Sequence, residues 1–261
     1  MCLLVVAWLS HPRYRLVVAG NRDEFHDRPA APLGWWADEP GILAGRDLRA
    51  GGTWLGVARS GRFGFLTNFR DAEAASAGAS APSRGQLVPG FLRDAAPPDG
   101  FLDRLHASAG QFAGFNLLVG DRSGLHYYSN VGGAAPRPLP PGVYGLSNHR
   151  LDEPWPKLVR TRERFAAALA REEPDAETLL DLLADATPGA DGPAAPRTPG
   201  LPPDLERALS APFVRHARYG TRCSTVLEIG VDGCTVVHER RFDDAGAQTG
   251  TTRIEFRNPV T

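Results

Sequence analysis

The 261-residue chain is poor in cysteine, with only Cys2, Cys223 and Cys234, which excludes the disulfide frameworks that hold small secreted domains together. It contains no CxxC pair and no Cys/His spacing of the zinc-binding kind, so no metal site is expected. Met1 is its only methionine, and nearly all of its basic residues are arginine. An excess of charge of one sign is also missing: 29 Lys plus Arg against 30 Asp plus Glu leave a net −1. That balance gives no global field to draw the protein to nucleic acid or to an anionic membrane. Long apolar runs are absent as well. The longest at the front, CLLVVAWL from Cys2 to Leu9, falls far short of the roughly 20 residues that span a bilayer, and no basic segment precedes it as in a signal peptide. No membrane insertion and a reducing, cytoplasmic setting are therefore expected. What is present is 42% hydrophobic and 23% charged, the balance of a globular chain able to bury a sizeable core.

Residues 2–9 and 15–20 (RLVVAG) are runs rich in β-branched residues, separated by a turn-like SHPRY, and they predict an antiparallel hairpin. Further strands are expected at 42–46, 53–59, 62–69, 115–121, 125–130 and 143–148, with a hairpin turn at Ser60–Gly61. Helical spacing is found at 84–96, broken by Pro89, at 101–109, and over 155–171, where Leu158, Arg162, Phe165 and Leu169 recur with basic residues on the other faces. A helix over 175–186 has Asp175 as its N-cap. Residues 187–204 are rich enough in Pro and Gly to read as a linker. Three closing strands have turns at Asp232–Gly233 and around Gly246. Strands, then helices, then strands, with no repeat, make an α+β pattern in one domain over 1–261.

After the second strand comes GNRDEF at 20–25, a dense polar cluster where the strand is expected to end. Such clusters are ordinarily solvated turns. In a hairpin with a loop of four or five residues, however, opposed positions sum to about 23 to 25, so Cys2 faces the stretch Asn21 to Asp23. Cys2 can then share a face with Asn21 and Asp23 while Arg22 points the other way. Two readings of Cys2 follow. As a small hydrophobe it starts a core strand. As a residue exposed by removal of Met1 it carries a free α-amine, of ordinary pKa near 8, that can act as base for its own thiol.

The set MCLLVVAW, AGNRDEFHDRPAAPLGWW, LAGRDLRAGGTWLGV, GFLTNFRD, YGLSNH and YGTRCSTVL resembles the NRDE family, the group that includes the transport and Golgi organisation proteins of eukaryotes. The likeness runs from Met1 to about residue 230, and NRDEF with GGTWLG is a specific signature. That family is similar in turn to the N-terminal nucleophile hydrolases, above all the cysteine-headed acylases that cleave penicillin V and conjugated bile acids. The resemblance implies a four-layer αββα sandwich. It implies Cys2 as nucleophile, Asp23 as the carboxylate beside the α-amine, Asn68 and Asn148 as the positions that receive the oxyanion, and Arg222 as the late arginine near the thiol. In one respect the sequence departs: the acylase arginine before Asn-x-Asp falls on Gly20, and Arg22 takes the free position instead.

The expected activity is amide hydrolysis or acyl transfer on a small molecule, with Asn21, Arg22, Trp36, Trp54 and His149 as candidate binding residues. Trp35, Trp36 and Trp54 are able to line an apolar pocket, although large aromatics more often pack a core. Asn148 at a strand end also suits a turn that bonds its own backbone. The glycines at 50–52 suggest a bend or a close backbone approach, Cys223 and Cys234 suit a core, and 160–165 suits a solvated helix face. No cofactor is required. In the second class of function the same fold carries a hydrophobic ligand: the family is linked to haem handling and to acyl-CoA or lipid metabolism, with Cys2 or His149 as candidate haem ligands. No heptad or apolar stripe specifies an oligomeric state.

Overall fold

The computed structural model describes residues 3–70, 81–171, 174–189 and 201–258, so Met1 and Cys2 lie outside the described residues. In chain order the first strands are β1 (Leu3–Trp8), β2 (Tyr14–Phe25), β3 (Ala30–Trp35), β4 (Ile42–Asp47), β5 (Leu55–Ala58) and β6 (Phe63–Asn68). Helices α1 (Leu87–Arg93) and α2 (Pro98–Ser108) come next, followed by β7 (Phe115–Gly120), β8 (Leu125–Ser129), β9 (Arg137–Leu139) and β10 (Gly142–Leu146). Then come α3 (Pro156–Leu169), α4 (Ala176–Leu183) and α5 (Pro203–Ala208), and finally β11 (Tyr219–Gly230), β12 (Cys234–Phe242) and β13 (Gln248–Arg257). The fold class is α+β. The chain divides into two compact units: one takes the chain up to Asp27 with Pro141–Ser147 and Leu151–Phe256, the other Arg28–Pro140, Asn148–Arg150 and the residues from Arg257 on.

The first unit holds a six-stranded sheet in the order β10-β1-β2-β11-β12-β13. Its first hairpin pairs Leu3 with Asn21 and Trp8 with Leu16, antiparallel, inside the range expected from the turn length. Alternation then sorts the side chains: Leu3, Val5, Ala7, Val17 and Ala19 pack with Leu158 and Phe165 of α3 and with Leu179 and Leu183 of α4. Asp175 caps α4 as expected, accepting from the backbone N–H groups of Glu177 and Thr178. Lys157 departs from the expectation that the basic residues of 155–171 lie on faces away from the apolar stripe. It is buried, and its Nζ donates to the Leu209 carbonyl at 2.8 Å.

The second unit is a seven-stranded antiparallel meander in sequence order, β3 through β9. One of its faces is covered by Val88, Phe91 and Leu92 of α1 and by Leu102 and Leu105 of α2, packed on Ile42, Ala44, Leu66, Leu117 and Val119. Pro89 does not interrupt α1, for it stands in the first turn, where its missing N–H has no intrahelical acceptor to lose. The close approach expected at 50–52 is present. The Thr53 N–H donates to the Gly85 carbonyl at 2.9 Å, and a Cβ on Gly52 would lie 2.2 Å from that oxygen. Gly61 turns the β5–β6 hairpin at φ +86°.

The strand reading misses β3, β9 and α5, which lie in Pro-rich or short segments. It also ends the second strand too early, since β2 continues through Asn21, Arg22 and Asp23 to Phe25 because β11 pairs along its whole length.

Candidate active site

In the first unit the polar end of β2 lies in the sheet interior. Asn21 is fully buried; its Nδ2 donates to the Leu183 and Pro212 carbonyls, both at 2.9 Å, and its Oδ1 accepts from Ser224 Oγ at 2.6 Å. Both amide protons are thus used inside the fold, and Asn21 ties β2 to the end of α4 and to the segment before β11.

Asp23 is 3% exposed, so it is a buried carboxylate and not a partly solvated one. Its Oδ1 accepts from Thr221 Oγ1 at 2.7 Å, and that hydroxyl accepts in turn from the Val214 N–H at 2.9 Å. The Tyr219 hydroxyl donates to the Asp23 backbone carbonyl. Thr221 stands directly opposite Asp23 in the β2–β11 register, so the sheet itself sets the height of the carboxylate.

Arg22 alternates to the other face, where its register partner is Cys223. Both are buried, as is Glu239. Burial pushes the Cys223 thiol far above its ordinary range; Glu239 adds to the effect and Arg22 opposes it. Cys223 is therefore an inert core thiol, as its place in a strand predicts. Arg22 also lies 3.9 Å from Glu24.

Between Thr221 and Cys223 the register shifts, and Arg222 is the extra residue of that bulge. Its Nη1 donates to Asp244 Oδ1 at 2.7 Å and lies 3.0 Å from His26 Nδ1. His26 Nε2 is 3.0 Å from the His216 carbonyl, which assigns the ring proton to Nε2 and leaves Nδ1 to accept from the guanidinium. Gly220 makes room for this ring, since a Cβ there would sit 3.1 Å from it.

The second unit brings Asn68, Asn148 and His149 together. Asn148 is 3% exposed; its Nδ2 donates to the Asn68 carbonyl at 3.0 Å, and its own carbonyl accepts from the Arg70 N–H at 2.7 Å. No hydrogen-bond partner for its buried Oδ1 occurs among the described residues. Asn68 closes β6 with an exposed side chain. The His149 ring stacks on Phe69 at 4.9 Å between centroids. The segment is held by Asn116, whose Nδ2 donates to the His149 carbonyl at 2.8 Å and to Thr67 Oγ1 at 3.1 Å, while its Oδ1 accepts from the Tyr127 hydroxyl at 2.8 Å.

Trp36 and Trp54 are core residues of this unit. Trp36 donates Nε1–H to the Ala44 carbonyl, with the Arg46 guanidinium 4.2 Å from its ring centroid, and the Trp54 ring occupies the space a Cβ on Gly45 would take. Sequence reasoning overlooks Thr221, His26, Asp244 and Asn116. A lone asparagine inside the apolar run FNLLVG was a usable signal for Asn116, and His26 directly follows NRDEF. Nothing local marks Thr221 or Asp244. Among the described residues no group of three or more His, Cys, Asp or Glu side chains could hold a metal ion, and no helix is long and apolar enough to cross a membrane.

Residues 1–244 match the model of a family described as Transport and Golgi organisation 2. The Transport and Golgi organization protein 2 homolog of Bos taurus is 33% identical over 276 aligned residues, covering 98% of this chain and 99% of that protein. The Drosophila melanogaster Transport and Golgi organization protein 2 is 27% identical and covers 70% of each. Among solved structures, the Caenorhabditis elegans ortholog of N-acylethanolamine-hydrolyzing acid amidase superposes with a TM-score of 0.51 at 12% identity, over 87% of this chain and 92% of that one. At that identity the likeness concerns the fold alone.

Proposed function

The chain belongs to the Transport and Golgi organisation 2 family, and from that premise we propose that it is an N-terminal-nucleophile amide hydrolase or acyl transferase acting through Cys2 on a small molecule in the cytoplasm. The proposal includes the NRDE signature as the mark of the site, removal of Met1, a single domain over 1–261 and the four-layer αββα arrangement, and it needs neither metal nor cofactor. The observation that carries it is the β1–β2 register: Leu3, the residue after Cys2 in the chain, stands opposite Asn21, the first residue of Asn21-Arg22-Asp23. The fold likeness to an amidase supports the same reading.

The chemistry follows from the groups named. The α-amine of Cys2 takes the thiol proton, and the thiolate attacks the amide carbon, forming a C–S bond while the carbonyl π electrons move to oxygen. Side-chain amides of Asn68 and Asn148 donate to that oxyanion, and loss of one such donor typically raises the barrier by about 3 kcal/mol. Collapse expels the amine, which receives the proton from the α-ammonium. Water, deprotonated by the same α-amine, then cleaves the thioester. Asp23, fixed by Thr221, steadies the ammonium, and Arg222, held by Asp244 and His26, supplies positive charge. Asn21 supports the strand.

Intact mass and an electrophilic amide or β-lactone probe test the reading. Cys234 is a half-buried thiol and not the core residue expected, so the test uses a Cys234→Ser background. The protein should lack Met1 and label once, at Cys2, with labelling lost in Cys2→Ala and Cys223 silent because it is buried with a raised pKa. Retained Met1, or labelling that survives Cys2→Ala, overturns it. A saturable haemin titration in that case would favour the carrier function.

A further inference from the structure

Each sheet ends in two edge strands, and three of the four edges are blunted. The β3 edge carries Pro32 and a register shift between Ala31 and Gly34, β9 is three residues long with Pro138 in the middle, and β10 has five residues directly after Pro141. Short length, proline and irregular register are the devices that keep a sheet edge from pairing with another chain. The fourth edge, β13, runs ten residues, QTGTTRIEFR, without a proline, and among the described residues no strand lies on its outer side.

Its side chains alternate between exposed Thr251, Arg253, Glu255 and Arg257 and half-buried Thr252, Ile254 and Phe256. Arg253 and Glu255 already share a face, with Nη2 and Oε2 2.5 Å apart. We infer that β13 is a homodimerisation edge, at which two copies of this chain pair their β13 strands antiparallel about a two-fold axis through Ile254. Their six-stranded sheets then become continuous.

The charge pattern selects both the partner and the register. In a two-fold contact residue i of one copy meets j of the other and j meets i. With Ile254 on the axis, Arg253 of each copy faces Glu255 of the other, Ile254 meets Ile254, and Thr252 meets Phe256. Moving the axis one residue either way sets Arg253 against Arg253 or Glu255 against Glu255, which is unfavourable. Moving it to Thr252 leaves the charges unmatched, and moving it to Phe256 shortens the overlap. The edge charges that would repel an arbitrary strand therefore become complementary for a second copy. One strand a side is a small interface, so the dimer should form in a concentration-dependent equilibrium.

Sedimentation velocity on the full chain over a concentration series tests this. The wild-type protein should show a monomer–dimer equilibrium. R253E and E255R should each weaken the dimer at least about tenfold, because each places like charges opposite one another twice per dimer. An equimolar mixture of the two variants should recover it, as should the double swap R253E/E255R, and that recovery shows both variants to be folded. A wild-type chain that stays monomeric throughout, single variants that dimerise as well as wild type, or a mixture that fails to recover while each variant keeps its circular dichroism overturns the inference.

Discussion

Each unit fixes an irregular segment with a fully buried asparagine in mid-strand, and the difference lies in what that asparagine holds. Asn21 sits in mid-strand in the first sheet and clamps two carbonyls, Leu183 and Pro212, beside the strand that carries Asp23. Asn116 sits in mid-strand in the second sheet and clamps the His149 carbonyl, which places Asn148 next to Asn68. Both use a carboxamide because it donates twice and accepts at the same centre, so a single side chain can fix an irregular segment against a regular strand. Asn21 is sealed from water whereas the His149 segment is half-buried, so the same kind of group should count for more in the first sheet than in the second.

Breaking the comparison starts with Asn21→Leu. It leaves two carbonyls and the Ser224 hydroxyl unpaired in a dry site, which should cost about 4 kcal/mol and lower the thermal midpoint by on the order of 10 °C. Calorimetry checks this. Asn116→Leu should cost less, about 2 to 3 kcal/mol, since water can reach the freed His149 carbonyl. On the proposed role of Asn148 as an oxyanion donor, its effect on probe labelling of Cys2 should nevertheless exceed that of Asn21→Leu at a temperature where both variants are folded; an equal or smaller effect counts against that role.

A third test adds pH. Glu228 is buried in the first sheet and its carboxyl is pushed up to about 7, mainly by burial and further by Asp175, against the pull of Arg253. His238, 3.9 Å away, is itself pushed down by burial and Arg253, so it is a weak counter-charge. A carboxyl with a raised folded pKa favours the fold while protonated, so its contribution is complete below pH 4.5 and is lost as pH rises through 7. Glu228→Gln should therefore match wild type in acid and exceed it above pH 7 by on the order of 2 kcal/mol in urea unfolding. The smallest stability change is expected at Asp23→Asn, which keeps an oxygen for Thr221 and should cost about 1 kcal/mol or less. Iodoacetamide labelling of Cys2 at neutral pH should slow clearly in that variant; unchanged labelling with a large stability loss would make Asp23 a structural group only.

Much of the frame is legible in the residues. The β-branched runs of β1 and β2, the helical spacing of α3, the Asp175 cap and the glycine turns at Gly61, Gly233 and Gly246 declare themselves through short-range sterics and hydrogen bonding, with all three turn glycines at positive φ. The residues that misled are equally specific. GNRDEF reads as a strand end because its composition is polar, yet β11 supplies partners along its length, so pairing overrides propensity. Lys157, on a helix whose Arg160, Arg162 and Arg164 pair with Asp185 and Asp152, is instead buried, with its Nζ on the Leu209 carbonyl.

By its own pattern the sequence determined most of the strands and helices, though not β3, β9, α5 or the far end of β2, together with the parity of side chains along β1 and the first part of β2 and the family to which the chain belongs, since these are written in periodicity and local motifs. Only the tertiary structure decided which polar side chains inside those strands have partners. Asn21 finds its acceptors 162 and 191 residues further along the chain, Thr221 reaches Asp23 across 198, and the bulge that turns Arg222 toward Asp244 exists only once β2 and β11 are in register. A hydrogen bond acts over about 3 Å, and no local rule specifies which distant carbonyl the fold will bring within that distance.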